Sequence, residues 1–262
     1  MTKSLLVLIL VAVAVSGPLS CASVPQKKPD NIRSAEAYYQ LGLEQMSSGN
    51  QQGALLEFRK AEATNPDDPR VYNAMGLVYA GLGRTDKAEE AYQKALRLKK
   101  DYSDVHLHLG VLYGSQNRCK EAIPHFEKAL ENPFFETPGK ALHNIGLCYQ
   151  LMGQVVEAEG KFKEALQLDP NLFRAYYDLG SLYYGENLLD QAIELLDRGI
   201  ERYSRLEGAR PHDLSRFHFL LGLCYFKYAD RENAQRHFRQ VTELAPGMSI
   251  DRDAQKYLEL LQ

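Results

Sequence analysis

Seven histidines, four cysteines and 34 acidic residues are among the side chains of this 262-residue chain that are able to carry chemistry. Their spacing decides what they do. Two histidines four apart on a helix share a face and hold a metal, but His106 and His108 are two apart, which turns them to different sides. No His-Glu-x-x-His, no phosphate-binding glycine loop and no Gly-x-Ser-x-Gly nucleophile turn occurs. Cys119, Cys148 and Cys224 form no close pair in sequence, and three thiols cannot build a disulfide framework, so buried and reduced is the expected state. The chain is therefore expected to be no enzyme, with no catalytic set, no metal, no cofactor and no small-molecule substrate. Its 31 Lys and Arg against 34 Asp and Glu give a net charge of −3. Without a positive field to collect phosphates, nucleic acid is excluded as a partner.

Cys21 is the one cysteine with a chemical context. Lys3 precedes an apolar run from Leu5 to Val15, which ends at Ser16-Gly17-Pro18-Leu19-Ser20-Cys21. Such a run rises only about 16 Å as a helix, roughly half a bilayer core, so residues 1–20 are expected to be a signal peptide and not a span. Leu19, Ser20 and Cys21 resemble the last three places of a bacterial lipobox, with Pro18 where that pattern carries an aliphatic residue. The resemblance implies lipidation of Cys21, and several acyl chains at about 0.8 kcal/mol per buried CH₂ hold a chain on a membrane. The alternative is an ordinary cysteine in a spent leader. Ala22 follows where Asp favours inner-membrane retention in such lipoproteins, which implies the periplasmic face of a Gram-negative outer membrane. Residues 21–32, polar and broken by Pro25 and Pro29, are expected to form a tether.

The rest of the chain has a period. Gly42, Gly76, Gly110, Gly146, Gly180 and Gly222 are separated by 34, 34, 36, 34 and 42 residues. Four before each stands a large residue (Tyr38, Tyr72, His106, Leu142, Tyr176, His218), and three after stands a Tyr in all but the first, which has Gln45. Alanine recurs twelve after each, and an aromatic ring four later still in five of six, Leu196 filling the other place. Steps of three and four mark one stripe on a helix, so each unit is two amphipathic helices. A glycine within a helix costs about 1 kcal/mol relative to alanine, so its recurrence calls for close backbone packing in return.

These residues resemble the tetratricopeptide repeat. The resemblance implies an all-α, right-handed superhelical solenoid of six repeats over 33–248, with units at about 35–68, 69–102, 103–138, 139–172, 173–214 and 215–248. Residues 249–262 carry Ala254, Tyr257, Leu258 and Leu261 at helical spacing and are expected to be the capping helix. Two units carry extra residues. Asn132 to Pro138 brings Phe134 and Phe135, either a docking knob or a cover for the seam between repeats; Tyr203 to Asp213 adds eight residues. Such insertions map to edge loops.

The first helices of such units line a concave groove. Positions three before, one after and four after the glycines supply Tyr39, Leu43, Met46, Asn73, Leu77, Leu107, Val111, His143, Leu147, Tyr177, Ser181, Tyr184, Phe219, Leu223 and Phe226. The set is mostly apolar and aromatic, suited to an amphipathic helix or an extended apolar peptide, although part of the stripe also packs within the superhelix. The Lys and Asn combination with which chaperone-binding repeats clamp a terminal carboxylate is missing. Leader, anchor, tether, six repeats and cap together resemble the type IV pilus biogenesis and stability lipoproteins, the PilF/PilW/Tgl-like pilotins. That resemblance implies a non-enzymatic pilotin that binds a secretin subunit in its groove and promotes secretin assembly and membrane placement. The alternative is a periplasmic adaptor lipoprotein that recruits cell-wall hydrolases or proteases, or serves polysaccharide export.

Overall fold

The computed structural model describes residues 29–206 and 210–262; the leader, Cys21 and the tether before Pro29 lie outside the described residues. Among the described residues thirteen α-helices follow one another in hairpins: α1 (Pro29–Ser47), α2 (Gln51–Thr64), α3 (Pro69–Gly81), α4 (Thr85–Leu98), α5 (Ser103–Ser115), α6 (Cys119–Leu130), α7 (Pro138–Leu151), α8 (Val155–Leu168), α9 (Phe173–Gly185), α10 (Leu189–Ser204), α11 (Ser215–Lys227), α12 (Arg231–Leu244) and α13 (Ser249–Leu260). A 3-10 turn at Pro211–Leu214 leads into α11. The chain is an α-solenoid of six hairpins and a closing helix. One boundary differs from expectation: α1 begins at Pro29, inside the segment expected to be a tether, because a proline at a helix's first position gives up no intrahelical hydrogen bond.

Each hairpin turns on the same backbone device. Gly49, Gly83, Asn117, Gly153, Asn187 and Ala229, all seven after a signature glycine, have φ between 58° and 80°. The next residue's N–H then reaches back to the carbonyl three after the glycine, as in Arg84 to Tyr79 and Arg118 to Tyr113, both at 2.9 Å. This left-handed reversal satisfies carbonyls that the ending helix leaves open.

The signature glycines let an aromatic ring lie flat on the facing backbone. A Cβ added at Gly76 or Gly110 would come within 2.4 Å or 2.5 Å of the ring of Tyr92 or Phe126. Those rings are fully buried, as are Phe58, Phe162 and Phe238 in the same place. Successive first helices, α1, α3, α5, α7, α9, α11 and finally α13, touch one another along the stack, while the second helices share no comparable contact. The first helices are thus the tighter, inner layer and the second helices the splayed, outer one. Pro124 sits inside α6 without interrupting it.

Candidate protein-binding groove

The inner layer places the expected groove residues unequally. Tyr39, Leu43, Met46, Asn73, Leu77, Leu147, Tyr177, Tyr184, Phe219 and Leu223 are half-buried, Val111 is 44% exposed and Phe226 is 37% exposed. Leu107 and His143 are 8% and 6% exposed: Leu107 is packed into the core of the first repeats and does not present its side chain to a partner, which corrects the expectation for it, whereas His143 keeps an edge on the cavity described below. The same position, three before the glycine, is half-buried in the other four repeats (Tyr39, Asn73, Tyr177, Phe219), so the closure is local to repeats 3 and 4 and does not follow from place within the unit. Phe219 and Phe226 are partly spent within the molecule, since Tyr257 of α13 meets them edge-on at 6.0 Å and 5.3 Å and stacks on Phe238 at 4.9 Å. The two loop phenylalanines separate: Phe135 is buried with the core of the first repeats and is unavailable for docking, whereas Phe134 is 88% exposed.

A polar seam runs along the groove floor. His108 Nδ1–H donates to Asn73 Oδ1 at 2.9 Å, and one repeat on, His143 Nε2–H donates to Asp178 Oδ2 at 2.6 Å. Cations cover the groove tyrosines: Arg70 lies 4.8 Å from the Tyr39 ring, Arg216 4.4 Å from Tyr177 and Lys227 4.1 Å from Tyr184. Between repeats 4 and 6 the groove deepens into a cavity of about 340 Å³. Its walls include His143, Leu147 and Tyr177, as expected, together with Phe173, Arg174 and Arg216, which the glycine-centred count passed over. Asp213, the last residue of the fifth repeat's insertion, also lines it.

Two histidine pairs join a first helix to its second. His106 and His218, four before their glycines, each meet a histidine of the second helix, His125 and His237, with Nδ1 atoms 3.0 Å apart in both pairs. His106 Nε2 faces the Lys100 carbonyl, so it carries the proton and His125 must donate across the pair. In the other pair Arg236, which only donates, faces His237 Nε2, and His237 must likewise donate to His218. Burial and the facing ring lower the pKa of His125; burial, His218 and Arg236 take His237 down to about 4.

Cys119, Cys148 and Cys224 are buried free thiols. Cys119 opens α6 and Cys148 lies in α7, and the fold brings the two thiols, distant in sequence, close enough to influence each other. Burial, with the neighbouring Cys119 thiol, pushes the Cys148 thiol up to about 12, and burial does the same for Cys224. Among the described residues no cluster of metal-ligating side chains occurs, and no helix is long and apolar enough to cross a membrane.

Two-helix hairpins, an inner layer of first helices and an apolar groove floored by them define a helical-repeat scaffold. The repeat is the tetratricopeptide repeat: its models match residues 42–83, 69–102, 103–132, 149–207 and 215–248, and the chain belongs to that family. No curated protein sequence matches the chain. Among solved structures it is similar to PilW, a widely conserved type IV pilus biogenesis factor, with 23% identity and a TM-score of 0.75, covering 84% of this chain and 98% of that one. It is similar to PilF of Pseudomonas aeruginosa, with 23% identity and a TM-score of 0.73, over 87% of this chain and 99% of that one. YrrB, a TPR protein with an unusual peptide-binding site, matches at 23% identity with a TM-score of 0.55, over 76% and 97%. Likeness at this identity establishes the shared fold.

Proposed function

We propose that the protein is a lipid-anchored pilotin of the Gram-negative outer membrane that captures a secretin segment in its groove and promotes secretin assembly for type IV pilus biogenesis. The observation that supports the reading is extent: PilW and PilF are matched over 98% and 99% of their own lengths, so the likeness spans those whole chains and not merely a repeat or two. The apolar and aromatic groove supports a polypeptide ligand, and the absence of a catalytic constellation in the sequence fits a role in which no bond is made or broken. Cys21 supplies the anchor in this reading, and the groove supplies the grip.

Deletion of the gene in its own bacterium, followed by electrophoresis of secretin without boiling, tests it. Secretin monomers and loss of surface pili are expected. Normal secretin multimers in the deletion strain reject the pilotin role and leave the adaptor role standing. Fractionation of a Cys21→Ala form tests the anchor separately: it is expected to leave the membrane for the soluble periplasmic fraction. Leu77→Glu with Leu147→Glu puts two charges on the groove floor and is expected to break secretin capture; unchanged capture moves the site to the convex face or to Phe134.

A further inference from the structure

Among the described residues, the C-terminal half of the groove holds cations that make no ion pair. The residue six before each signature glycine lies in the first turn of its first helix from the second repeat on, and along the chain this series is Glu36, Arg70, Asp104, Lys140, Arg174 and Arg216. In the first two repeats it closes on itself, with Arg70 2.7 Å from Glu36 and 2.6 Å from Asp68. In the last three it is cationic throughout. Lys140, Arg174 and Arg216 are exposed, and none of them makes an ion pair among the described residues.

Arg174 and Arg216 both line the cavity between repeats 4 and 6, and so do two carboxylates. Those carboxylates are engaged. Asp178 accepts from His143 Nε2 at 2.6 Å, while Asp213 accepts from the Tyr203 hydroxyl and from Arg210 Nε at 3.0 Å, with His212 at 3.4 Å. The ring of Tyr177 holds the Arg216 guanidinium over the groove without neutralising it. Leu147, Phe173 and Phe217 supply an apolar wall beside the two guanidiniums. A planar guanidinium pairs with a carboxylate through two parallel N–H···O bonds, and a basic segment in the same place would meet like charge.

We infer that the segment bound in this half of the groove presents an acidic side chain next to a large apolar one, the carboxylate taken by Arg174 and Arg216 and the apolar group by Leu147, Phe173 and Phe217. This rests on the groove being the binding face and adds the chemistry of its occupant. The partner is an acidic and apolar polypeptide segment.

Panning a phage-displayed library of random 12-residue peptides on the immobilised protein tests it. Asp or Glu at a fixed distance from Leu, Phe or Met is expected among the selected peptides. A synthetic copy of the leading peptide should bind the R174Q/R216Q variant at least tenfold more weakly, and the same peptide with Gln for its acidic residue should lose a similar factor on the wild type. Both arginines are exposed, so the variant is expected to keep its helical circular dichroism. An apolar consensus without acid, bound equally by wild type and R174Q/R216Q, overturns carboxylate recognition and leaves the groove intact. Binders that ignore Leu77→Glu with Leu147→Glu place the site elsewhere and overturn the groove reading together with this one.

Discussion

At the scale of single residues, the signature glycines separate two effects that oppose each other. Alanine is the better helix former by about 1 kcal/mol, yet its Cβ at Gly110 would lie 2.5 Å from the rigid ring of Phe126. Overpacking a core by one methyl costs about 1 to 3 kcal/mol, so Gly110→Ala is expected to destabilise the protein in urea titrations. At Gly180 the neighbour is Leu196, whose Cδ2 is 2.8 Å from the added Cβ and which moves aside by rotamer change. Gly180→Ala is therefore expected to cost less than Gly110→Ala, and equal costs would reject the ring-on-backbone explanation. The glycine, the alanine and the aromatic ring were all legible in sequence because each recurs by residue type. Burial of Leu107 and His143 was not, because the same position is half-buried in the other four repeats.

At the scale of the helix pair, the turn residues and the two histidine pairs make separate demands. Ala229 is the one turn residue of the six that is neither Gly nor Asn, yet it holds φ at 58°. A left-handed conformation costs an L-residue with a Cβ about 1 kcal/mol, so Ala229→Gly is expected to raise stability by about 0.5 to 1 kcal/mol, read as a higher urea midpoint with an unchanged slope.

The histidine pairs set a pH window. His125, His218 and His237 have folded pKa values below the ordinary 6.5, so the unfolded chain binds more protons and stability falls as the medium is acidified. Their contribution is whole above about pH 6.5 and is lost as pH falls toward about 4, the value of His237. At pH 5 the loss from His237 alone is about 2 kcal/mol. Urea midpoints that stay flat from pH 7.5 to pH 5 would refute the neutral pairing, and His237→Phe is expected to reduce the slope. In sequence, His106 and His218 were visible as packing residues, but their partners 19 residues on, each one before the recurring aromatic of the second helix, are marked only by a recurrence in two of the six units. Cys119 and Cys148 come together only through the fold.

At the scale of the whole molecule, a repeat stack has no centre, so its end decides where it frays. Each hairpin is held by its neighbours alone, and stability is close to a sum of unit and interface terms. α13 takes the place that a seventh first helix would occupy, setting Tyr257 against Phe219, Phe226 and Phe238. Its Ala254 and Leu261 are buried with Val241. That helix carries no signature glycine, so the sequence showed a cap by its spacing but not that the cap closes one end of the groove. Removing residues 249–262 would uncover apolar side chains worth about 1.5 to 3 kcal/mol each when buried. The loss is expected to stay local. By amide hydrogen exchange, α11 and α12 should lose most of their protection in the truncated chain while α3 to α6 keep theirs, and the newly apolar end should drive concentration-dependent self-association. Protection lost evenly through all six repeats would mean that the stack opens as one cooperative body, with the groove and its ligand-binding half assembled or dismantled together.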